Sequence, residues 1–141
     1  MERAMKRSGF TLVEILIVVV ILGILASIVV PQFSHATNDA KQQATVSQLV
    51  KLRHALSVYY FRNNSTFPSV TAGNGTWGQL LGDGYFKEPP SNVHVGGVNA
   101  NVITIGTAPD SASTTSYGWI FNPATGDVWA ASFDAMDKPL P

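Results

Sequence analysis

Apolar residues form an almost continuous run near the start of the chain, and further on they become periodic. The run from Phe10 to Val30 contains a single charged residue, Glu14. As a helix rising ~1.5 Å per residue, this run would be about 30 Å long, which is enough to cross a bilayer. The pattern therefore predicts a membrane-spanning helix over residues 10–30.

Beyond Pro31 the pattern becomes amphipathic. Residues 32–62 contain neither Gly nor Pro, and apolar positions recur at the spacings of a helix with one buried face. The predicted face consists of Ala36, Ala40, Ala44, Val46, Leu49, Leu56 and Tyr60. Because proline cannot donate to the helical ladder, Pro31 is predicted to kink the helix or locally melt it. Two arrangements stay open: one rod from residue 10 to about residue 62, or an anchor and a separate helix with a break at Pro31.

The second half of the chain predicts a small head that contains a β-sheet. A connector over residues 64–91 is rich in turn residues, with a short helical turn over 77–81 and a tight turn over 82–84. The strand candidates are 92–98, 102–105, 117–121 and 128–133, and the last two flank a hairpin loop over 122–126. The predicted fold class is α+β, a long N-terminal helix packed on a small antiparallel sheet at about 92–134. Trp119 and Trp129 are predicted to fill the core between helix and sheet.

Charge and composition narrow the function classes. The 141 residues carry nine basic and nine acidic side chains, and three of the basic ones lie among the first seven positions. Positive charge before an apolar span predicts a cytoplasmic N-terminus and an exported remainder. There is no cysteine, which excludes disulfides, thiolate metal sites and cysteine nucleophiles. The basic residues of the exported part are too few to indicate nucleic-acid binding.

Candidate catalytic chemistry is sparse. His35, His54 and His94 are scattered without the spacing of metal ligands. No glycine-rich phosphate loop follows a predicted strand, and no serine has a nearby base of the triad type. The sequence therefore predicts that the protein is not an enzyme and needs no cofactor.

The start of the chain fits an ordinary signal peptide poorly. Such peptides have an apolar core of about 7–15 residues and a small-x-small cleavage site. Here the run is longer, and Ile24-Leu25-Ala26 is a poor site. Glu14 also needs an explanation, because a carboxylate in hydrocarbon costs roughly a few kcal/mol. It is either a charge that reaches the headgroups from the membrane edge or one half of an ion pair.

The residues around Glu14 form a motif that resembles a known processing site, and the second explanation rests on that resemblance. Lys6-Arg7-Ser8-Gly9 followed by Phe10-Thr11-Leu12-Val13-Glu14, with Pro31 further on, resembles the processing site of type IV prepilins and type II secretion pseudopilins. The resemblance implies cleavage between Gly9 and Phe10 by a prepilin peptidase and N-methylation of Phe10. It also implies that Glu14 pairs with the Phe10 amine of a neighbouring subunit.

This resemblance divides the chain into four parts. They are a leader peptide (1–9), a transmembrane and assembly half of the helix (10–30), an amphipathic exported half (31–63) and a C-terminal head (64–141). Loss of the leader would leave six basic and eight acidic side chains, so the mature subunit would be mildly acidic.

The function that the resemblance implies is structural. A major-type pseudopilin of a type II secretion system is favoured, because a Gly84-Tyr85…Pro89-Pro90 connector and a small head are similar to that group. The implied partners are the prepilin peptidase, other copies of the chain, minor pilins or pseudopilins, and an assembly platform in the inner membrane. Alternatives are a pilin of a type IV pilus, a signal-anchored monomeric domain that binds a ligand, and, last, an exported enzyme.

A metal ion is the remaining question. Major pseudopilins carry calcium in a C-terminal loop, and Asp127, Asp134 and Asp137 are the candidates in this chain. Their spacing matches no calcium motif, and strand alternation would point Asp127 and Asp134 to opposite faces. The expectation is therefore no metal, with these three carboxylates as the ones to examine. Pilins of the family often close this loop with a disulfide, which a chain without cysteine cannot form.

Overall fold

The computed structural model describes residues 9–73 and 75–141, apart from the side chain of Pro31. The chain separates into two compact units, residues 1–37 and 38–141. Its elements are helix α1 (Leu12–Arg62), helix α2 (Gln79–Gly82), a 3-10 turn (Gly97–Asn99) and strands β1 (Ile103–Ile105), β2 (Trp119–Phe121) and β3 (Val128–Ala130). The predicted class, a long N-terminal helix with a small sheet, is confirmed as α+β and pilin-like. The predicted leader lies almost wholly outside the described residues.

Helix α1 is continuous through Pro31, so the alternative with a break at that residue is wrong. The helix ends where the sequence predicts. The Asn63 backbone N–H and side-chain amide both donate to the Tyr59 carbonyl, at 3.0 and 2.9 Å. Asn64 and Ser65 then take φ of 52° and 60°, a left-handed turn that a helix cannot continue.

The buried face of α1 differs from the predicted one. Its buried residues are Thr45, Leu49, Leu52, Ala55, Leu56 and Tyr59. Val46 is partly buried against the same core, whereas Ala36, Ala40 and Ala44 are exposed. Alanine removes little apolar area from water, so it is a poor guide to the phase of a helix. The leucines, spaced by three and four residues, set the orientation.

The sheet has the order β1-β2-β3, and only one of its two pairings is antiparallel. Strand β2 pairs antiparallel with β3 through the predicted hairpin, in which Asn122 N–H donates to the Asp127 carbonyl. Strand β1 pairs parallel with β2, so the predicted all-antiparallel sheet is wrong. Residues 106–118 provide the crossover that parallel strands need.

The predicted strand over 92–98 is also wrong. Asn92 Oδ1 accepts from the backbone N–H groups of His94 and Val95, both at 3.1 Å. Such an Asx turn competes with a β-ladder for the backbone donors. The other strand candidates shorten to three residues each. Ser132, at φ 66°, cannot continue β3 as an extended strand.

The core lies between α1 and the sheet. Trp77, Trp119, Phe121 and Phe133 are fully buried there, and Trp119 Nε1 donates to the Pro90 carbonyl at 2.9 Å. The prediction for Trp119 is confirmed. Trp129 is only half-buried, because alternation along β3 turns Val128 and Ala130 into the core and Trp129 away from it.

One polar side chain lies at the centre of this core. Asn92 is fully buried, its amide makes four hydrogen bonds that include the start of β2 and the end of β3, and Thr45 Oγ1 of α1 lies 3.2 Å from its Oδ1. Its Oδ1 accepts from the His94 and Val95 backbone N–H groups, and its Nδ2 donates to the Gly118 and Ala131 carbonyls. Each bonding position of the amide is thereby used.

Candidate assembly and processing site

Gly9 and Phe10 precede α1 and are exposed. The Phe10 side chain is 79% exposed, and a Cβ built on Gly9 would meet no atom within 4 Å. The fold of the subunit therefore places no demand for glycine at position 9. Lys6, Arg7 and Ser8 lie outside the described residues, and cleavage between Gly9 and Phe10 stays a prediction.

Thr11 and Glu14 form a capping box at the start of α1. The Thr11 backbone N–H and hydroxyl both donate to Glu14 Oε2 at 2.8 Å, and the Glu14 N–H donates to Thr11 Oγ1 at 3.3 Å. This reciprocal arrangement satisfies donors that a helix N-terminus otherwise leaves free. Sequence reasoning missed Thr11, although Thr-x-x-Glu before an apolar run is the known signature of this cap. The pairing of Glu14 with an amine of another subunit stays a prediction.

An exposed apolar surface follows the cap. The large apolar side chains from Leu12 to Val30 are each 44–83% exposed, and the most apolar window of α1 has no part buried within the chain. Among the described residues, α1 is the one helix long and apolar enough to cross a membrane. Surface of this extent requires lipid or protein to cover it.

A small apolar groove lies on α1 within residues 29–36. Val29, Gln32, Phe33 and Ala36 line it, and Phe33 is 70% exposed. Since Pro31 has no N–H, the Ser27 carbonyl four residues earlier receives no ladder hydrogen bond from this position. The kink predicted here stays a prediction.

The three calcium candidates do not converge on one point. Asp127 is exposed and accepts from Thr125 Oγ1 at 2.5 Å, whereas Asp134 Oδ1 accepts from the backbone N–H groups of Met136 and Lys138. Asp137 forms a bidentate ion pair with Arg53. In the part of the chain that the structure describes, no group of three or more His, Cys, Asp or Glu residues could hold a metal ion. These residues therefore do not fit calcium.

Arg53 and Asp110 are further charged residues that sequence reasoning missed. Asp110 accepts from the Tyr117 hydroxyl at 2.5 Å and from the Ser132 backbone N–H at 2.9 Å. The hydrogen bond to this carboxylate raises the pKa of Tyr117 to about 12, with smaller contributions from burial and from the negative charge. Asp110 and Ser132 are 22 positions apart and Arg53 and Asp137 are 84 apart, so no local pattern could have revealed these two contacts.

Two comparisons with known proteins bear on this N-terminus. The first defines a class: residues 4–30 match the prokaryotic N-terminal methylation motif. The matched segment includes the predicted cleavage point, the Thr11–Glu14 cap and most of the apolar surface.

The second comparison names particular relatives. The chain is 45% identical over 73 residues to type II secretion system core protein G of Vibrio cholerae, covering 52% of this chain and 49% of that protein. It is 47% identical over 68 residues to the protein of the same name from Aeromonas hydrophila, covering 48% and 47%. It is 43% identical over 68 residues to the protein of that name from Pseudomonas aeruginosa, covering 48% of this chain and 47% of that protein. The chain thus matches about half the length of these curated relatives. No solved structure matches the chain significantly.

Proposed function

We propose that this chain is a structural subunit of a type II secretion pseudopilus, made as a precursor and polymerised through the N-terminal part of α1. The observation that carries the proposal is the exposed apolar surface of residues 12–30, which begins at a capped Glu14 next to the predicted cleavage point. The proteins it resembles are named for the same secretion system. We propose no enzymatic activity.

The proposed location follows from the leader and the apolar helix. Arg3, Lys6 and Arg7 would keep the N-terminus in the cytoplasm, residues 10–30 would cross the inner membrane, and the head would lie on the far side. A prepilin peptidase would cut after Gly9 and methylate Phe10. The other partners would be an assembly platform, minor pseudopilins and further copies of this chain.

Glu14 would then have two roles. Within the subunit it caps α1 through Thr11, and between subunits it would neutralise the Phe10 amine that cleavage creates. A charged carboxylate and a charged amine are each unfavourable in hydrocarbon, but together they favour one register between neighbouring helices. Removing either partner would leave an unpaired charge at the interface.

Two substitutions separate these roles. Glu14→Gln keeps an acceptor for the cap but removes the charge, whereas Thr11→Ala keeps the charge and removes the two cap hydrogen bonds that the Thr11 hydroxyl makes. We expect Glu14→Gln to reduce filaments at least tenfold, counted by electron microscopy of sheared cells that overproduce the protein. Thr11→Ala is the matched control and should retain more filaments than Glu14→Gln. Immunoblotting must show equal amounts of each subunit.

Normal filaments from Glu14→Gln would contradict the paired charge. Absence of filaments from the unaltered protein, with the protein purifying as a detergent-bound monomer, would contradict the polymer and favour an anchored monomeric domain.

A further inference from the structure

We propose that the guanidinium of Arg53 holds the C-terminal loop (residues 131–141) in place, as a calcium ion does in the major pseudopilins. The head of this chain would then fold independently of calcium. The proposal concerns how the head is held together and does not depend on filament formation.

The C-terminal loop has little regular structure of its own. It contains one isolated β-bridge, between Phe133 and Pro139. Ser132 and Asp137, which are not glycines, have positive φ angles of 66° and 58°. Such conformations persist when surrounding contacts hold them, so the loop needs fixed points outside itself.

Arg53 provides the first fixed point, from the middle of the exported part of α1. Its Nη1 and Nη2 donate to the two carboxylate oxygens of Asp137 at 2.5 and 2.8 Å. Its Nε and Nη2 donate to the Val128 carbonyl at 3.3 and 3.1 Å. One positive group thus joins a carboxylate of the loop to a backbone carbonyl of β3. Carboxylates and carbonyls are also the oxygen ligands that calcium uses, but here N–H donors occupy them.

Asp110 provides a second fixed point, at the start of the loop. It accepts from the Ser132 N–H and from the Tyr117 hydroxyl. The buried Ser132 hydroxyl donates to the Thr114 carbonyl at 2.6 Å and accepts from the Thr114 N–H at 2.8 Å. These bonds hold Ser132 against residues 110–117.

Asp134 closes the loop on itself. Its N–H donates to the Lys138 carbonyl at 2.8 Å, and its Oδ1 accepts from the Met136 and Lys138 N–H groups. The carboxylates of Asp110, Asp134 and Asp137 are therefore all engaged by protein donors. A calcium ion requires about six to eight oxygen ligands, and it would have to displace Arg53 to gain Asp137.

The test is thermal unfolding of the mature full-length chain in detergent. The signal is the near-ultraviolet circular dichroism of its buried tryptophans. One arm contains a chelator and the other millimolar calcium. We expect the same melting midpoint in both arms and no saturable heat of calcium binding in titration calorimetry. A midpoint that rises by more than about 5 °C with calcium, or saturable binding, would overturn the proposal.

Three variants test the role of Arg53. Arg53→Met should lower the melting midpoint by roughly 5–10 °C in both arms, and Asp137→Asn should lower it by less. The variant with both substitutions should lose less than the sum of the two single losses, because the two residues act as one ion pair. Lys51→Met removes an exposed charge two residues away on α1 and is the matched control, with an expected change under about 2 °C. Equal midpoints for Arg53→Met and Lys51→Met would overturn the proposal. If Arg53→Met does not fold, two other measurements decide whether Arg53 replaces calcium. One is the midpoint of the unaltered chain with and without calcium, and the other is the non-additivity of the midpoint changes for Asp137→Asn and Arg53→Lys.

Discussion

Asn92 offers the sharpest test of how the head is built. The substitution Asn92→Ala removes the four hydrogen bonds of this amide at once. Two of the partners keep a second bond: the Gly118 carbonyl still accepts from the Ala131 N–H at 2.9 Å, and the His94 N–H still donates to Thr45 Oγ1 at 3.0 Å. The Val95 N–H and the Ala131 carbonyl lose the bonds that the Asn92 amide makes.

The magnitude follows from those two groups. Leaving a buried donor or acceptor unsatisfied costs about 1–3 kcal/mol, so we expect Asn92→Ala to lower the free energy of unfolding by about 3 kcal/mol. For a unit of residues 38–141, an unfolding entropy of roughly 2.1 cal/mol/K per residue converts this to a midpoint about 10–15 °C lower. The measurement is thermal unfolding of the full chain in detergent, followed by near-ultraviolet circular dichroism.

The chain supplies a matched control. Asn101 is half-buried, and its Oδ1 is buried without a hydrogen-bond partner among the described residues. Asn101→Ala should therefore change the free energy of unfolding by less than about 1 kcal/mol, or raise it slightly. Equal losses for Asn92→Ala and Asn101→Ala would refute the interpretation of Asn92 as the polar centre of the head.

Three more predictions concern the head. Gly126→Ala should lower the free energy of unfolding by about 2 kcal/mol or more in chemical denaturation, because the residue has φ 77° and a Cβ there would lie 2.0 Å from the Phe67 ring. The control is Gly82→Ala, which should cost less than about 1 kcal/mol because a Cβ at Gly82 meets no atom within 4 Å. Trp119→Phe should lower the free energy of unfolding by about 2–3 kcal/mol in the same assay, because it loses buried area and the hydrogen bond to the Pro90 carbonyl. An equally large loss for Trp129→Phe would contradict the orientation of β3. The pKa of Tyr117 rises from 10.0 to about 12 in the folded head. Its contribution to folding stability should therefore be full and constant below pH 10 and be lost as the pH rises from 10 towards 12. Tyr117→Phe should remove that part of the pH dependence, and an identical pH profile for the variant would refute the Asp110–Tyr117 contact.

What the sequence predicted best was local. The start and end of α1, the turn at Asn63–Ser65 and the β2–β3 hairpin all depend on residues within a few positions of one another. The predicted face of α1 was right at Leu49 and Leu56, which are buried, and wrong at its three alanines, which are exposed and had been weighted like leucines. The parallel pairing of β1 with β2, the bond of Asn92 to Gly118 and the ion pair of Arg53 with Asp137 join residues 16, 26 and 84 positions apart. No periodicity records such contacts.

The candidate site divides in the same way. Gly9, Phe10 and Glu14 follow from a contiguous motif, and the cap that Thr11 makes with Glu14 could have been found from the same stretch. The calcium candidates were chosen because acidic residues are close together in sequence. In the structure each has a different hydrogen-bond partner, because hairpin and loop turn their side chains apart.

The N-terminus of the mature protein tests the central claim most directly. The protein is purified from membranes of cells that contain a prepilin peptidase, and its N-terminal peptide is analysed by mass spectrometry. The account predicts a chain that begins at N-methylated Phe10 and lacks residues 1–9. An intact Met1, or a start at Ser27 after signal-peptide cleavage, would contradict it.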